Sequence, residues 1–219
     1  MVSNIKILGI VGSPRKNSNT EVLVRKALEG AASAGNVETD IYLFADKKIN
    51  PCSSCYVCRR KRTQCIFMEK DDMLPLWQKF QDADGLIIGS PVYVMSIPGQ
   101  LKSAIDRISN SLCSVYLDKP NERPVKVGGA IVQGMNRYGG QEFALSAIIN
   151  FYLATGIIPV SGEVPLFYIG ALGSTYGAET GSIAEKDSNV ILASIKLGEK
   201  VARMATVLRR AGVQYTKDL

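Results

Sequence analysis

The chain has 219 residues, 46% hydrophobic and 21% charged, which is enough apolar material for a sizeable core without disulfide staples. Five cysteines is an odd number and argues further against staples, while the complete absence of histidine excludes Ser-His-Asp and Cys-His nucleophiles and leaves sulfur and carboxylate as metal ligands. The net charge of +6 is spread along the chain apart from the run Arg59, Arg60, Lys61, Arg62, so a bound anionic cofactor accounts for it more simply than nucleic acid, and no nucleic-acid partner is expected.

The opening residues reach Pro14 and Arg15 without a small-residue cleavage pattern, so no secretory leader is expected and the expected location is cytoplasmic. IKILGIVG (5–12) is short, apolar and β-branched, as a buried parallel strand is. Residues 19–34 follow as an amphipathic helix, with Leu23, Ala27, Leu28 and Ala31 on one face and Gly35 as the stop. ETDIYLF (38–44) is a second strand. A cysteine-rich loop, 46–70, comes next. Asp71 or Asp72 then caps a helix in which Pro75 is tolerated because it lies in the first turn.

GLIIGS (85–90) is a third strand. Leu101, Ile105, Ile108 and Leu112 step by 4, 3 and 4, which marks one helix face. KVGGAIVQG (126–134) is a fourth strand, 141–155 a helix, GIIPVSG (156–162) a fifth strand, and 188–211 a last helix stopped by Gly212. The uncharged stretch 143–162 has about the length of a membrane span. Asn150, Thr155, Gly156 and Pro159 divide it into a helix and a buried strand, and no membrane partner is expected.

Five alternating strand–helix units, with no repeat or linker, predict one α/β domain over 1–219. Its core is a doubly wound five-stranded parallel sheet with helices on both faces. Ligands of such sheets sit at the carboxyl ends of the strands, at the switch point. The loops after strands one, three and four are therefore expected to converge. GSPRKNSNT (12–20) is neither a Walker loop nor a GxGxxG fingerprint. It offers Ser13, Ser18, Asn19 and Thr20 as donors, Arg15 as a cation and the amides of a helix N-terminus. That set suits a phosphate monoester, and a polar turn capping a helix is the plainer alternative. SPVYVMSIPGQLKSAIDR (90–107) places Val92, Tyr93 and Val94 before a helix opened by Pro98. Either a flat ring packs there or the loop faces the core. GMNRYGGQE (134–142) contains Gly134, Gly139 and Gly140, which allow a backbone to approach a ligand closely. Together the three loops describe an FMN pocket.

These segments resemble the NADPH-dependent FMN reductase family, and the cysteine run followed by DDM resembles its iron–sulfur flavoprotein branch, over about residues 5–163. The resemblance implies a flavodoxin-like fold. By position it implies Ser13, Arg15, Ser18, Asn19 and Thr20 at the FMN phosphate, and Pro91, Val92, Tyr93, Gly139 and Gly140 around the isoalloxazine. It also implies an external donor or acceptor: NAD(P)H, or a redox partner protein such as a ferredoxin. The basic charge departs from the strongly acidic classical flavodoxins and argues against a plain carrier.

Cys52, Cys55, Cys58 and Cys65 are spaced C-x2-C-x2-C-x6-C. Zinc usually takes two C-x2-C knuckles separated by a longer loop. Three sulfurs in successive three-residue steps with one more beyond are closer to iron–sulfur ligation, so a 4Fe–4S cluster is expected ahead of free or switching thiols and of zinc. The basic run beside them eases burial of the cluster's negative charge, is a solvated surface, or docks an acidic electron carrier. Cys113 is expected to be a buried, inert thiol. The Gly/Ser/Thr-rich connection 166–187 is expected to lay Tyr168 and Tyr176 over an apolar surface or to be a mobile loop. A homodimer or homotetramer is expected, with one subunit's cysteine loop near the other's flavin. The function expected is electron movement between a cluster, FMN and an external partner. The alternatives are an NAD(P)H-dependent FMN or quinone reductase without a cluster, and a pure electron-transfer module.

Overall fold

In the computed structural model, residues 4–162, 168–177 and 181–213 are described. Strands β1 (Ile5–Val11), β2 (Val37–Leu43), β3 (Gly85–Pro91) and β4 (Val127–Gly134) alternate with helices α1 (Asn19–Ala32), α2 (Val57–Lys61), α3 (Met73–Asp82) and α4 (Gly99–Val115). Helix α5 (Gln141–Ala154), β5 (Ile158–Pro159), β6 (Ala171–Ser174), α6 (Ile183–Lys186) and α7 (Ser188–Ala211) complete the order. The sheet runs β2-β1-β3-β4-β5, all parallel. The chain order reverses between β1 and β3, as expected of a doubly wound sheet.

The fifth position differs from the expected single strand. β5 pairs with β4 only at Val127↔Ile158 and Gly128↔Pro159. The same edge of β4 is taken up again by β6, from Ile131↔Ala171 to Gly134↔Ser174. The connection 166–187 thus contains a strand and a short helix, although 166–167 and 178–180 lie outside the described residues. Tyr168 and Tyr176 are exposed rather than laid over the protein. ALGS has small residues and no alternation, so only pairing with the open edge of β4 makes it a strand.

β1, β3 and β4 are buried along almost their whole length because helices cover both faces. One core joins the sheet to α3, α4 and α5 through residues such as Phe80, Leu101 and Ile148. The other joins it to α1 and α7 through Leu23, Ala27, Leu197 and Val201. The second layer is unusually close. A Cβ at Gly198 would lie 1.8 Å from the Ala27 carbonyl oxygen, and one at Gly30 would lie 2.1 Å from that of Ile195. Ser18 caps α1 by accepting from Glu21 N at 3.1 Å, and Gly212 at φ 64° ends α7 as expected. Of the two aspartates proposed to cap α3, Asp71 accepts from Met73 N at 3.2 Å, while Asp72 accepts from Lys48 N instead. No described helix is long and apolar enough to cross a membrane.

Candidate functional site

The carboxyl ends of β1, β3, β4 and β6 lie level: Val11↔Gly89, Pro91↔Gln133 and Gly134↔Ser174 are register pairs. The loops that leave them enclose a cavity of about 130 Å³. The first loop contributes Ser13, Arg15, Ser18, Asn19 and Thr20, and the third strand's loop contributes Pro91, Val92 and Tyr93. All eight had been expected in one site. Gly89 makes the first loop's position possible, because a Cβ there would lie 2.3 Å from Val24 Cγ2 and 3.0 Å from Thr20 Cγ2.

The donors are poised for an acceptor. Ser13 Oγ accepts from Arg15 N at 3.2 Å and Ser18 Oγ accepts from Glu21 N, so each hydroxyl keeps its O–H to donate. Thr20 is 1% exposed, and its Oγ1 has no hydrogen-bond partner among the described residues. A buried hydroxyl left unpaired is costly, which fits a site completed by an oxyanion. Asn19 Oδ1 accepts from Ile183 N at 2.9 Å, tying this loop to α6.

Tyr93 to Ser96 forms a two-residue hairpin, closed by Tyr93 N→Ser96 O (2.8 Å) and Ser96 N→Tyr93 O (3.0 Å). Val94 and Met95 both have positive φ, 45° and 62°, as a type I′ turn requires. Valine is β-branched and is strained there. Its side chain is 97% exposed, at the rim of the cavity.

The glycines of the fourth loop do not line the cavity. Gly140 (φ +99°) lies against Met95, whose Cα would be 2.8 Å from an added Cβ. Gly134 lies against Gln141, and Gly139 N donates to Gln141 Oε1 at 2.8 Å. They shape a loop that Gln141 clamps by donating to Asn136 O at 2.6 Å and Ser174 Oγ at 3.0 Å. Gln133, Met135 and Thr175 also line the cavity and were missed. Gln133, a polar residue ending a buried strand, was a usable signal. Thr175 was hidden because it follows β6.

The cysteine loop leaves the same edge but folds back along α4. Residues Ser54, Tyr56 and Arg62 take positive φ, and these reversals bring Cys52, Cys55, Cys58 and Cys65 around one cavity of about 220 Å³. None is in a disulfide. Among the described residues no three Cys, His, Asp or Glu side chains are grouped tightly enough for a single metal ion. A tetrahedral zinc needs its sulfurs roughly 4 Å apart, given Zn–S distances near 2.3 Å. Four thiols spread around a larger volume fit a cluster with several iron corners better.

Helix α4 supplies the cavity's other wall. Arg107, Asn110 and Ser111 share one face by their i, i+3, i+4 spacing. Asn110 Nδ2 lies 3.9 Å from Cys52 Sγ, and Ser111 Oγ accepts from Cys65 N at 3.0 Å. Arg107 Nη1 donates to Asn50 O at 3.2 Å and to Asp71 Oδ2. This ion pair is buried, with side chains 2% and 0% exposed. Burial works against the Arg107 charge, but the neighbouring Asp71 carboxylate and Cys65 thiol outweigh it and hold its pKa above the ordinary value. The basic run is exposed. Of its members, Arg59 lines the cavity and Arg62 pairs with Asp118 at 2.6 Å. Cys113, expected to be buried, is exposed on α4.

The two cavities share no lining residue. Arg107 is eight residues beyond Gly99, about 12 Å along α4 from the end near the hairpin.

The architecture and the strand-end cavity define a flavodoxin-like α/β protein. Residues 5–168 match the model of the NADPH-dependent FMN reductase family, and the chain belongs to that family, as an FMN-dependent oxidoreductase of its iron–sulfur flavoprotein branch. It is 36% identical over 206 residues to an iron-sulfur flavoprotein of Methanocaldococcus jannaschii, covering 94% of this chain and 100% of that one. It is 36% identical over 185 residues to an iron-sulfur flavoprotein of Methanosarcina thermophila, covering 84% and 86%. Among solved structures, a WrbA-like flavodoxin from Agrobacterium tumefaciens superposes with a TM-score of 0.62 at 16% identity over 94% of this chain and 99% of that one.

Proposed function

We propose that the whole chain works as one redox unit, with FMN in the strand-end cavity and a 4Fe–4S cluster in the cysteine cavity. FMN supplies the exchange of one or two electrons. The O–H groups of Ser13, Ser18 and Thr20, with Asn19 and Arg15, hold its phosphate at the N-terminus of α1. Pro91, Val92 and Tyr93 border the ring, while Gly134, Gly139 and Gly140 set the loop beside it. The chain has no histidine to serve as a general acid. The four cysteines hold the iron. The observation that carries this reading is the convergence of eight separately read residues on one cavity, beside a second cavity that all four clustered sulfurs share.

The partner is a ferredoxin-like protein or NAD(P)H, and the chain is a cytoplasmic homodimer or homotetramer. Exposed Val94, Met135, Tyr138, Phe143 and Tyr176, of which Met135 lines the strand-end cavity, support self-association. Anaerobically purified protein tests the reading: it should carry one FMN with about four irons and four sulfides per chain. Cys58→Ala should lose the iron and keep FMN, and stoichiometric zinc without sulfide would refute the cluster. The family's NADPH dependence favours a second reading, a reductase without a cluster. Rapid bleaching of the flavin by NADPH in iron-free protein would establish it.

A further inference from the structure

The buried Arg107–Asp71 pair has an end that the protein leaves open. Asp71 is fully engaged: Oδ1 accepts from Met73 N, and Oδ2 from Asn50 N at 2.8 Å and from Arg107. Arg107 is not. Nη1 has two acceptors, but Nη2 is buried without a hydrogen-bond partner among the described residues. A guanidinium is a rigid fork that cannot shed its charge, and an unfilled donor on it is expensive to bury. Arg107 also lines the cysteine cavity, and Cys65 is the sulfur that interacts with it.

Resting on the cluster reading above, we infer that Arg107 is the positioning residue of the iron–sulfur centre, its Nη2 donating to the Cys65 sulfur or to an inorganic sulfide of the bound cluster. Asp71 orients the fork, and backbone amides absorb much of the carboxylate's charge, so the positive end of the pair faces the cavity. Each electron that the cluster takes from its donor adds negative charge. A fixed donor stabilises the reduced form more than the oxidised one and raises the reduction potential. The exposed run at 59–62 is screened by water and is left with a minor role.

The test is a redox titration of the cluster followed by electron paramagnetic resonance, with iron content and the flavin potential measured alongside. Arg107→Lys keeps the charge but has only one head for Asp71 and the cavity. It should retain iron and lower the reduction equilibrium of the cluster at least tenfold, which is ~59 mV for one electron, without moving the flavin potential. Arg60→Lys, on the exposed run and outside the cavity lining, should leave both potentials in place. Arg107→Gln combined with Asp71→Asn removes both buried charges together and should lower the cluster potential similarly. Loss of iron with FMN and helix content intact also supports the assignment. An unmoved cluster potential with full iron content overturns it. If neither variant folds, the Arg59→Lys protein grown with ¹⁵N-guanidino arginine decides the question. The reduced cluster should show ¹⁵N coupling by pulsed resonance, and its absence overturns the assignment. Iron-free wild-type protein would remove the cluster reading itself, whereas iron-replete protein with an unmoved potential removes only the role of Arg107.

Discussion

Replacing Thr20 by valine tests the phosphate site through two effects of opposite sign. Thr20 Oγ1 is buried and unpaired, while Cγ2 is the atom that approaches Gly89. Valine keeps that methyl and exchanges the hydroxyl for a second methyl of similar size. In ligand-free protein the change removes an unsatisfied polar group whose burial costs about 1–3 kcal/mol. Apo Thr20→Val should therefore be more stable than wild type by ~1 kcal/mol or more in urea denaturation, with an unchanged m value. FMN binding should move the other way. A hydrogen bond to a charged partner contributes about 1.5–3 kcal/mol, or roughly 10- to 150-fold in affinity. Calorimetric titration should show that loss for FMN and little loss for riboflavin, which lacks the phosphate. A less stable apo protein with unchanged FMN affinity would refute the reasoning, since the hydroxyl would then have an internal partner and no ligand.

Arg15 is exposed at the same cavity, and Arg15→Ala should weaken FMN more than riboflavin in the same titration, by ~1.5 kcal/mol or more. Gly198→Ala forces a methyl onto the Ala27 backbone oxygen and should cost at least ~2 kcal/mol of stability despite its better helix propensity, whereas Gly99→Ala, with nothing within 4 Å, should be neutral or mildly stabilising. Burial pushes the Lys126 ammonium down to about 8, against the pull of Asp84 and Asp82. Its folded pKa lies below the unfolded value of about 10.4, so the unfolded chain binds the extra proton and this group adds stability as pH rises from 8 toward 10. The rise should approach ~3 kcal/mol at most and should be absent in Lys126→Met, measured by denaturation at pH 7.5 and 9.5.

The strands β1, β3 and β4, the apolar faces of α1 and α4 and the stop at Gly212 were legible because they depend on local period and capping. The residues GSPR to NSNT and the four clustered cysteines were legible because each set is contiguous in the chain. β6 was not legible, since Ala171–Ser174 acquires its strand character from the edge of β4 rather than from its own residues. Cys113 follows Leu112, one residue off the apolar face of α4, and is exposed. Arg107 and Asp71 are 36 positions apart, and nothing local marks either as a partner of the other. Local order follows from chemistry between neighbours in the chain, and that chemistry is written in sequence. Which donor is left unpaired in the dark of the core depends on where distant segments pack, and only the folded chain decides that.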